Sequence, residues 1–376
     1  MPSKPRILIL SAGFGEGHNS AAKGIFRAFE QSHPDAQLLF LDPLAECYGR
    51  LNNFARKTYL GTINRAPKVW QAVYDLINLT SLNGPQLAVL NKVQQYLQKV
   101  LQDFRPDAIV STYPVYGYFL DRLPKPLRKT FQFFMVVTDS ISINSVWYRC
   151  SSDWIIVPNQ DTANVFKKHK VSPAIIREFG FPVNPIFADL RAKNLRPPIT
   201  PPYHILYMIN SGKTEAPALV QKIAARKDVR LTVTAGRDES LQSALQKATR
   251  NSAHPVEILG WTDQIPALMC SHHLLISKAG GATVQEALAA GCPLLITKVV
   301  PGQEEGNAEL LRKTNAGIIA PKPSEVYHCL DQLLTDQASR LRAQHEAIQA
   351  HSRPDAANQL AEFILTQLKQ NTPTSP

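Results

Sequence analysis

Two α/β domains, each built on a doubly wound parallel sheet, are the fold this sequence predicts, and three observations carry the prediction. The chain has 376 residues, too many for one ordinary core and suited to two domains of roughly 150–200 residues each. Short apolar runs alternate with stretches of helical spacing, the pattern of repeated βα units. Near the middle that alternation breaks at LRPPITPPYH, residues 195–204, where four prolines stop both helix and sheet.

The elements follow in order. In the first half, Arg6–Leu10, Gln37–Leu41, Ala108–Ser111, Phe131–Val137 and Trp154–Val157 read as strands. Arg6–Leu10 runs straight into a glycine loop, so it reads as a buried strand, not as the apolar region of a signal peptide. An insertion at about 51–104 is helical in character. Beyond the prolines, His204–Ile209, Val229–Thr234, Val256–Leu259, His273–Ile276 and Pro293–Thr297 form a second strand series. The expected domains are therefore 1–198 and 199–353. A C-terminal helix over 354–370 should pack back on the first domain, and 371–376 should be a disordered tail.

Composition narrows the class. An apolar fraction of 44% with 19% charged residues belongs to a globular protein. No apolar run approaches the ~18 residues of a membrane span. Five cysteines, Cys47, Cys150, Cys270, Cys292 and Cys329, are odd in number and scattered without a C-x-x-C pair. They predict reduced thiols in a cytoplasmic protein, with neither a disulfide framework nor a zinc site. The net charge of +11 is uneven: residues 1–198 hold 24 Lys and Arg against 14 Asp and Glu, residues 199–376 only 17 against 16. That asymmetry predicts an anionic partner for the first half.

Two glycine motifs carry chemistry. The first, SAGFGEGHNSAAKGIFRAF, follows strand Arg6–Leu10 and opens a helix over Ala21–Phe29. Gly13, Gly15 and Gly17 turn the backbone so that N–H groups and a helix N-terminus face a ligand, good for phosphate or a developing anion. A dinucleotide fingerprint, with Asp42 as its acidic residue, fails because His18 stands where the third glycine belongs. At the positive end of a helix dipole, His18 should stay neutral and suit general-base work. The second motif lies in residues 260–307, GWTDQIPALMCSHHLLISKAGGATVQEALAAGCPLLITKVVPGQEEGN. Its strand ends at Ser277–Lys278, turns through Ala279–Gly280–Gly281, and meets a helix over Thr283–Ala290. The helix N-terminus and the Thr283 hydroxyl can hold a diphosphate, and Glu286 can accept from ribose hydroxyls. No D-x-D pair offers a divalent ion, so none is expected and amides must stabilise the leaving group.

These residues resemble the monogalactosyldiacylglycerol synthase and processive diacylglycerol glucosyltransferase family, a relative of the peptidoglycan N-acetylglucosaminyltransferase. SAGFGEGH resembles its N-terminal loop, VVTDSISINSVW (136–147) its threonine–aspartate segment, and GFPVNPIF (180–187) a strand end. TAGRDESL (234–241) resembles its second-domain turn, and SKAGGATVQEAL with PGQEEGN are the closest matches. Asn144, Asn184 and the turn Asn210–Ser211–Gly212 depart from the pattern. The resemblance implies a GT-B fold, two facing Rossmann-like domains with a cleft between them. It implies an inverting, metal-independent hexosyltransferase that moves glucose or galactose from a UDP-sugar, a co-substrate, to diacylglycerol or a related lipid. His18 would be the base, with Asp139 the second catalytic candidate, and Gly15 and Gly17 would form the acceptor or phosphate loop. The donor site would add Gly212, Arg237, Trp261, Thr262, Lys278, Gln303, Glu304 and Asn307 to Gly280, Gly281, Thr283 and Glu286. A UDP-sugar epimerase of the same fold, or a non-catalytic nucleotide-sugar or lipid binder, is the alternative.

Residues 51–100 hold Arg56, Lys57, Arg65, Lys68, Lys92 and Lys99 against Asp75 alone, interleaved with Phe54, Tyr59, Trp70, Tyr74 and Tyr96. Basic and aromatic residues on helices that cannot span predict an interfacial surface, with Arg56, Lys57, Arg65, Lys68 and Trp70 on anionic lipid. The expected location is the inner face of the membrane. No nucleic-acid motif accompanies the charge, and the oligomeric state is left open.

Overall fold

A computed structural model describes residues 4–13, 16–49, 91–300, 304–320 and 322–371. The chain divides into two compact units. The first comprises Met1–Pro185, Val300–Gly306 and Asp355–Pro376, and the second Ile186–Val299 and Asn307–Pro354.

The first unit runs β1 (Arg6–Leu10), α1 (Glu16–Ser32), β2 (Gln37–Leu41), α2 (Asn91–Phe104), β3 (Ala108–Ser111), α3 (Val115–Asp121) and α4 (Lys125–Arg128). It continues with β4 (Gln132–Val136), β5 (Trp154–Val157), α5 (Gln160–Lys168) and β6 (Ile176–Glu178). Its six strands are parallel, in the order β2-β1-β3-β4-β5-β6. Side chains of a strand alternate between faces, and RILIL buries both sets. Leu8 and Leu10 join Ile109, Phe133 and Met135 on one side. Ile7 and Ile9 meet Ile25 and Phe29 of α1 on the other. Gly24 lets α1 pass against the 182–183 turn, since a Cβ there would lie 2.1 Å from the Pro182 carbonyl oxygen.

The second unit begins with α6 (Ile186–Ala192) and β7 (Tyr203–Met208), then α7 (Ala216–Ala224), β8 (Val229–Thr234), α8 (Glu239–Ala248) and β9 (Glu257–Leu259). It goes on through α9 (Ile265–Ser271), β10 (Leu274–Ser277), α10 (Gly281–Ala290), β11 (Leu294–Ile296), α11 (Glu305–Lys313), β12 (Gly317–Ile319) and α12 (Val326–Gln349), which is interrupted at 335–338. Its parallel sheet has the order β12-β11-β10-β7-β8-β9. The last helix, α13 (Ala356–Asn371), belongs to the first unit, where Leu360, Ala361 and Ile364 are fully buried beside Phe29 and Phe134.

Several expectations need correction. The division falls at Pro185, ahead of the boundary read at 198. The proline stretch is not a free linker: Arg196 donates to the carbonyls of Met269, His272, Ala290 and Gly291 at 2.6–3.1 Å, and Pro197 O accepts from His273 Nε2 at 3.0 Å. Residues 300–306, read as second-domain loop, group with the first unit. There Gly306 backs onto the Ser140 carbonyl so closely that a Cβ would lie 2.0 Å from it. Finally, β6 and β12 have no counterpart in the strands read from sequence, and Asn371 continues the helix instead of opening the tail. Residues 372–376 and most of the 51–104 insertion lie outside the described residues.

Candidate active site

In a doubly wound sheet, ligands sit beyond the carboxyl ends of the strands where the strand order reverses. In the first unit that point lies between β1 and β3, and in the second between β7 and β10. Both glycine motifs leave the sheet at these points.

In the first unit, the turn after β1 is fixed from several sides. The Asp42 carboxylate accepts from Gly13 N–H through Oδ2 and from Ala45 N–H through Oδ1, both at 2.9 Å. An acid that could have read a ribose is therefore committed to the backbone. Ser11 Oγ donates to Asn19 Oδ1 at 2.7 Å, and Tyr116 OH to Ser11 O at 3.0 Å. Helix α1 opens at Glu16, so Gly17 and His18 lie in its first turn. Gly15 is outside the described residues.

His18 Nδ1 lies 2.7 Å from the Thr112 carbonyl, just past the end of β3, and 2.9 Å from Thr138 Oγ1. A carbonyl only accepts, so Nδ1 carries the proton and the lone pair of the neutral ring sits on Nε2. Thr112 Oγ1 returns a bond to His18 O at 3.0 Å. Burial lowers the His18 pKa, while the Asp139 charge and the bond to Thr112 work against that shift. Neutrality therefore has burial as its main cause, where the helix dipole was expected. The ring meets Tyr113 edge-on at 5.0 Å and Trp147 at 6.2 Å between centroids. Asp139, beyond β4, accepts from Trp147 Nε1 at 2.7 Å. Asn144 caps the following turn through Val146 N–H at 3.1 Å.

In the second unit, Asn210 Nδ2 donates to Ser277 Oγ at 3.1 Å, tying the ends of β7 and β10 across the switch point. Lys278 N–H returns to Asn210 Oδ1 at 3.4 Å. Gly280 is the N-cap of α10 and supplies no side-chain cap, so first-turn N–H groups are left for a ligand. A Cβ on Gly280 would lie 3.4 Å from Lys278 Nζ and 3.8 Å from Thr283 Oγ1. One on Gly281 would lie 3.6 Å from Asn307 Nδ2, which donates to Ala279 O at 3.1 Å. An ammonium, a hydroxyl, an amide and helix N–H groups thus flank one turn, a combination suited to a diphosphate. Glu286 is half-buried on the next turn of α10.

Further along the same sheet edge, the Arg237 guanidinium lies over Trp261 at 5.3 Å, and Trp261 is 66% exposed. Thr262 Oγ1 accepts from Gln264 N–H at 3.1 Å. Gly212 takes a left-handed conformation (φ +64°), and its neighbour Lys213 binds Asp238 at 2.7 Å, holding that carboxyl below its usual range. Glu304, grouped with the first unit, is buried and accepts from Val300 N–H at 2.9 Å, so part of its carboxylate shapes its own loop. Gln303, Arg56, Lys57, Arg65, Lys68 and Trp70 lie outside the described residues. Sequence reading had not assigned Thr112, Trp147 and Asn210 a role in these sites. Their position just beyond a strand or inside the threonine–aspartate segment was the available signal.

Comparison with known proteins matches residues 18–183 to the monogalactosyldiacylglycerol (MGDG) synthase family and residues 209–360 to the glycosyltransferase family 28 C-terminal domain. The processive diacylglycerol beta-glucosyltransferase of Bacillus mycoides is 24% identical, over 98% of this chain and 95% of its own. The chloroplastic monogalactosyldiacylglycerol synthase of Spinacia oleracea is 25% identical, over 94% and 71%. The crystal structure of Acinetobacter baumannii MurG superposes with a TM-score of 0.64 at 14% identity, covering 96% of this chain and 99% of that one, and so shares the fold.

Proposed function

Because this chain is a glycosyltransferase that joins a monogalactosyldiacylglycerol synthase domain to a family 28 C-terminal domain, we propose that it moves a hexose from a UDP-sugar to diacylglycerol or a close relative. The observation that carries the reading is the Nε2 lone pair of His18, left basic by the bond from Nδ1 to Thr112 O. His18 Nε2 takes the proton of the acceptor hydroxyl, and the oxygen attacks the anomeric carbon. The bond from that carbon to the UDP oxygen breaks, and a single displacement inverts the centre. Lys278, Thr283 and the α10 N-terminus meet the charge that develops on the diphosphate, so no divalent ion is required. Glu286 binds the ribose, Arg237 and Trp261 border the base, and Gln303 and Glu304 read the sugar hydroxyls.

Among the described residues no helix is long and apolar enough to cross a membrane. The basic and aromatic segment 51–100 supports peripheral attachment to the inner leaflet. The test is incubation with UDP-glucose or UDP-galactose and diacylglycerol vesicles, with and without a chelator, followed by mass analysis of the lipid. A lipid heavier by one hexose in both conditions supports the reading. Epimerised or hydrolysed UDP-sugar with unchanged lipid would overturn it.

A further inference from the structure

The group that holds Asp139 does not touch substrate in the mechanism above. Trp147 is 1% exposed, and its indole Nε1 donates to Asp139 Oδ2 at 2.7 Å. The same ring stands 6.2 Å from the imidazole of His18. The turn before it is built to keep it there: Asn144 caps residues 145–147 through Val146 N–H, and Tyr118 OH donates to Val146 O at 3.2 Å. A carboxylate on a rotatable side chain has many orientations, whereas one clamped by a buried indole has few.

The structure assigns Trp147 as a positioning residue for the transfer reaction: its indole N–H fixes the Asp139 carboxylate so that the carboxylate charge stabilises the His18 imidazolium formed when Nε2 takes the acceptor proton. The chain of action runs Trp147 to Asp139 to His18. Thr138, the residue before Asp139, touches His18 Nδ1 as well, so the strand end that carries Asp139 is already anchored beside the ring. What Trp147 adds is the direction of the carboxylate. Asp139 acts on His18 by charge, and Tyr113 also stands against the ring. The inference rests on the reading of His18 as the base.

The test is a double-mutant cycle on hexose transfer, with Trp147→Phe, Asp139→Asn and the pair, each followed across pH. Trp147→Phe is expected to lower kcat roughly tenfold or more while KM for the UDP-sugar stays put. The acid limb of its kcat/KM profile should move to lower pH, because burial of His18 persists while the opposing charge is displaced. Asp139→Asn should move the limb the same way, and the double variant should be no worse than Asp139→Asn alone. Multiplying losses, or a limb that stays or moves to higher pH in Trp147→Phe, would overturn the proposal and leave Trp147 a packing residue. Should Trp147→Phe not fold, benzothienylalanine at position 147 removes the N–H and keeps the ring, and the same outcomes decide. His18→Ala separates the two readings. Normal turnover in that variant means the base is elsewhere, whereas lost turnover with multiplying Trp147 and Asp139 effects refutes the positioning role alone.

Discussion

The imidazole of His18 and the carbonyl of Thr112, ninety-four residues apart in sequence, meet at 2.7 Å and tie the first turn of α1 to the end of β3. The contact selects the tautomer, and with it the atom that can accept a proton. Removal of the ring should therefore stop chemistry without touching the nucleotide. His18→Ala should lower kcat by about 10²–10⁴ with UDP affinity unchanged. Steady-state kinetics paired with UDP titration calorimetry checks this, and turnover near wild type removes His18 from the mechanism.

The donor site makes a complementary prediction. Glu286→Ala should raise KM for the UDP-sugar by roughly ten- to hundredfold, the loss of a charge-assisted bond to a ligand. Lys278→Gln should weaken UDP binding by a similar factor through the diphosphate. Circular dichroism keeps folding in view. A folded Glu286→Ala with unchanged donor KM takes Glu286 out of the site.

The proposed membrane attachment rests on charge in the 51–100 segment. Replacing Arg56, Lys57, Arg65 and Lys68 with glutamine should release the protein from anionic vesicles and leave UDP binding intact. In the unaltered protein, binding should fade with salt as the Debye length drops from ~10 Å at 0.1 M to ~3 Å at 1 M. Co-sedimentation reads both effects. Equal binding to neutral and anionic vesicles at every salt concentration would contradict them.

Acid should destabilise the second unit. Burial pushes His272 down to about 4 and His345 to about 3. Below pH ~6.5 the unfolded chain takes up protons that these buried rings refuse, so stability is full above that pH and is lost as pH falls toward 4. Each histidine contributes about 1.4 kcal/mol per pKa unit. His345 Nε2 donates to His273 O at 2.7 Å, a bond a glutamine amide can replace. Calorimetry between pH 7.5 and 4.5 should show a falling Tm, and a shallower fall in His345→Gln. Parallel curves would remove His345 from the effect.

Central strands such as RILIL in β1 and LLIS in β10 were legible because a run buried on both faces can belong nowhere else. The two that sequence concealed, IRE in β6 and GII in β12, are three-residue strands at sheet edges, where one neighbour suffices and no apolar run is needed. Both glycine motifs announced their helices, since a turn tight enough to aim N–H groups leaves a compositional trace. Thr112 and Asn210 left none. Thr112 contributes a carbonyl, which every residue has, and Asn210 finds its partner sixty-seven residues away. The proline stretch misled for a related reason: Arg196 donates to the His272 carbonyl and Pro197 O accepts from His273 Nε2, partners that composition cannot display.

The placement of α13 has a consequence for biosynthesis. The first unit needs residues 355–371 to cover Phe29 and Phe134, yet 186–354 must be made in between. At bacterial-to-eukaryotic elongation rates that interval is on the order of ten to thirty seconds. Throughout it the nascent amino-terminal half stands at the ribosome with part of one face of its sheet uncovered, a natural client for a chaperone. A stop codon anywhere before position 355 would leave that surface permanently bare, so even a late truncation is expected to send the whole polypeptide to aggregation or proteolysis.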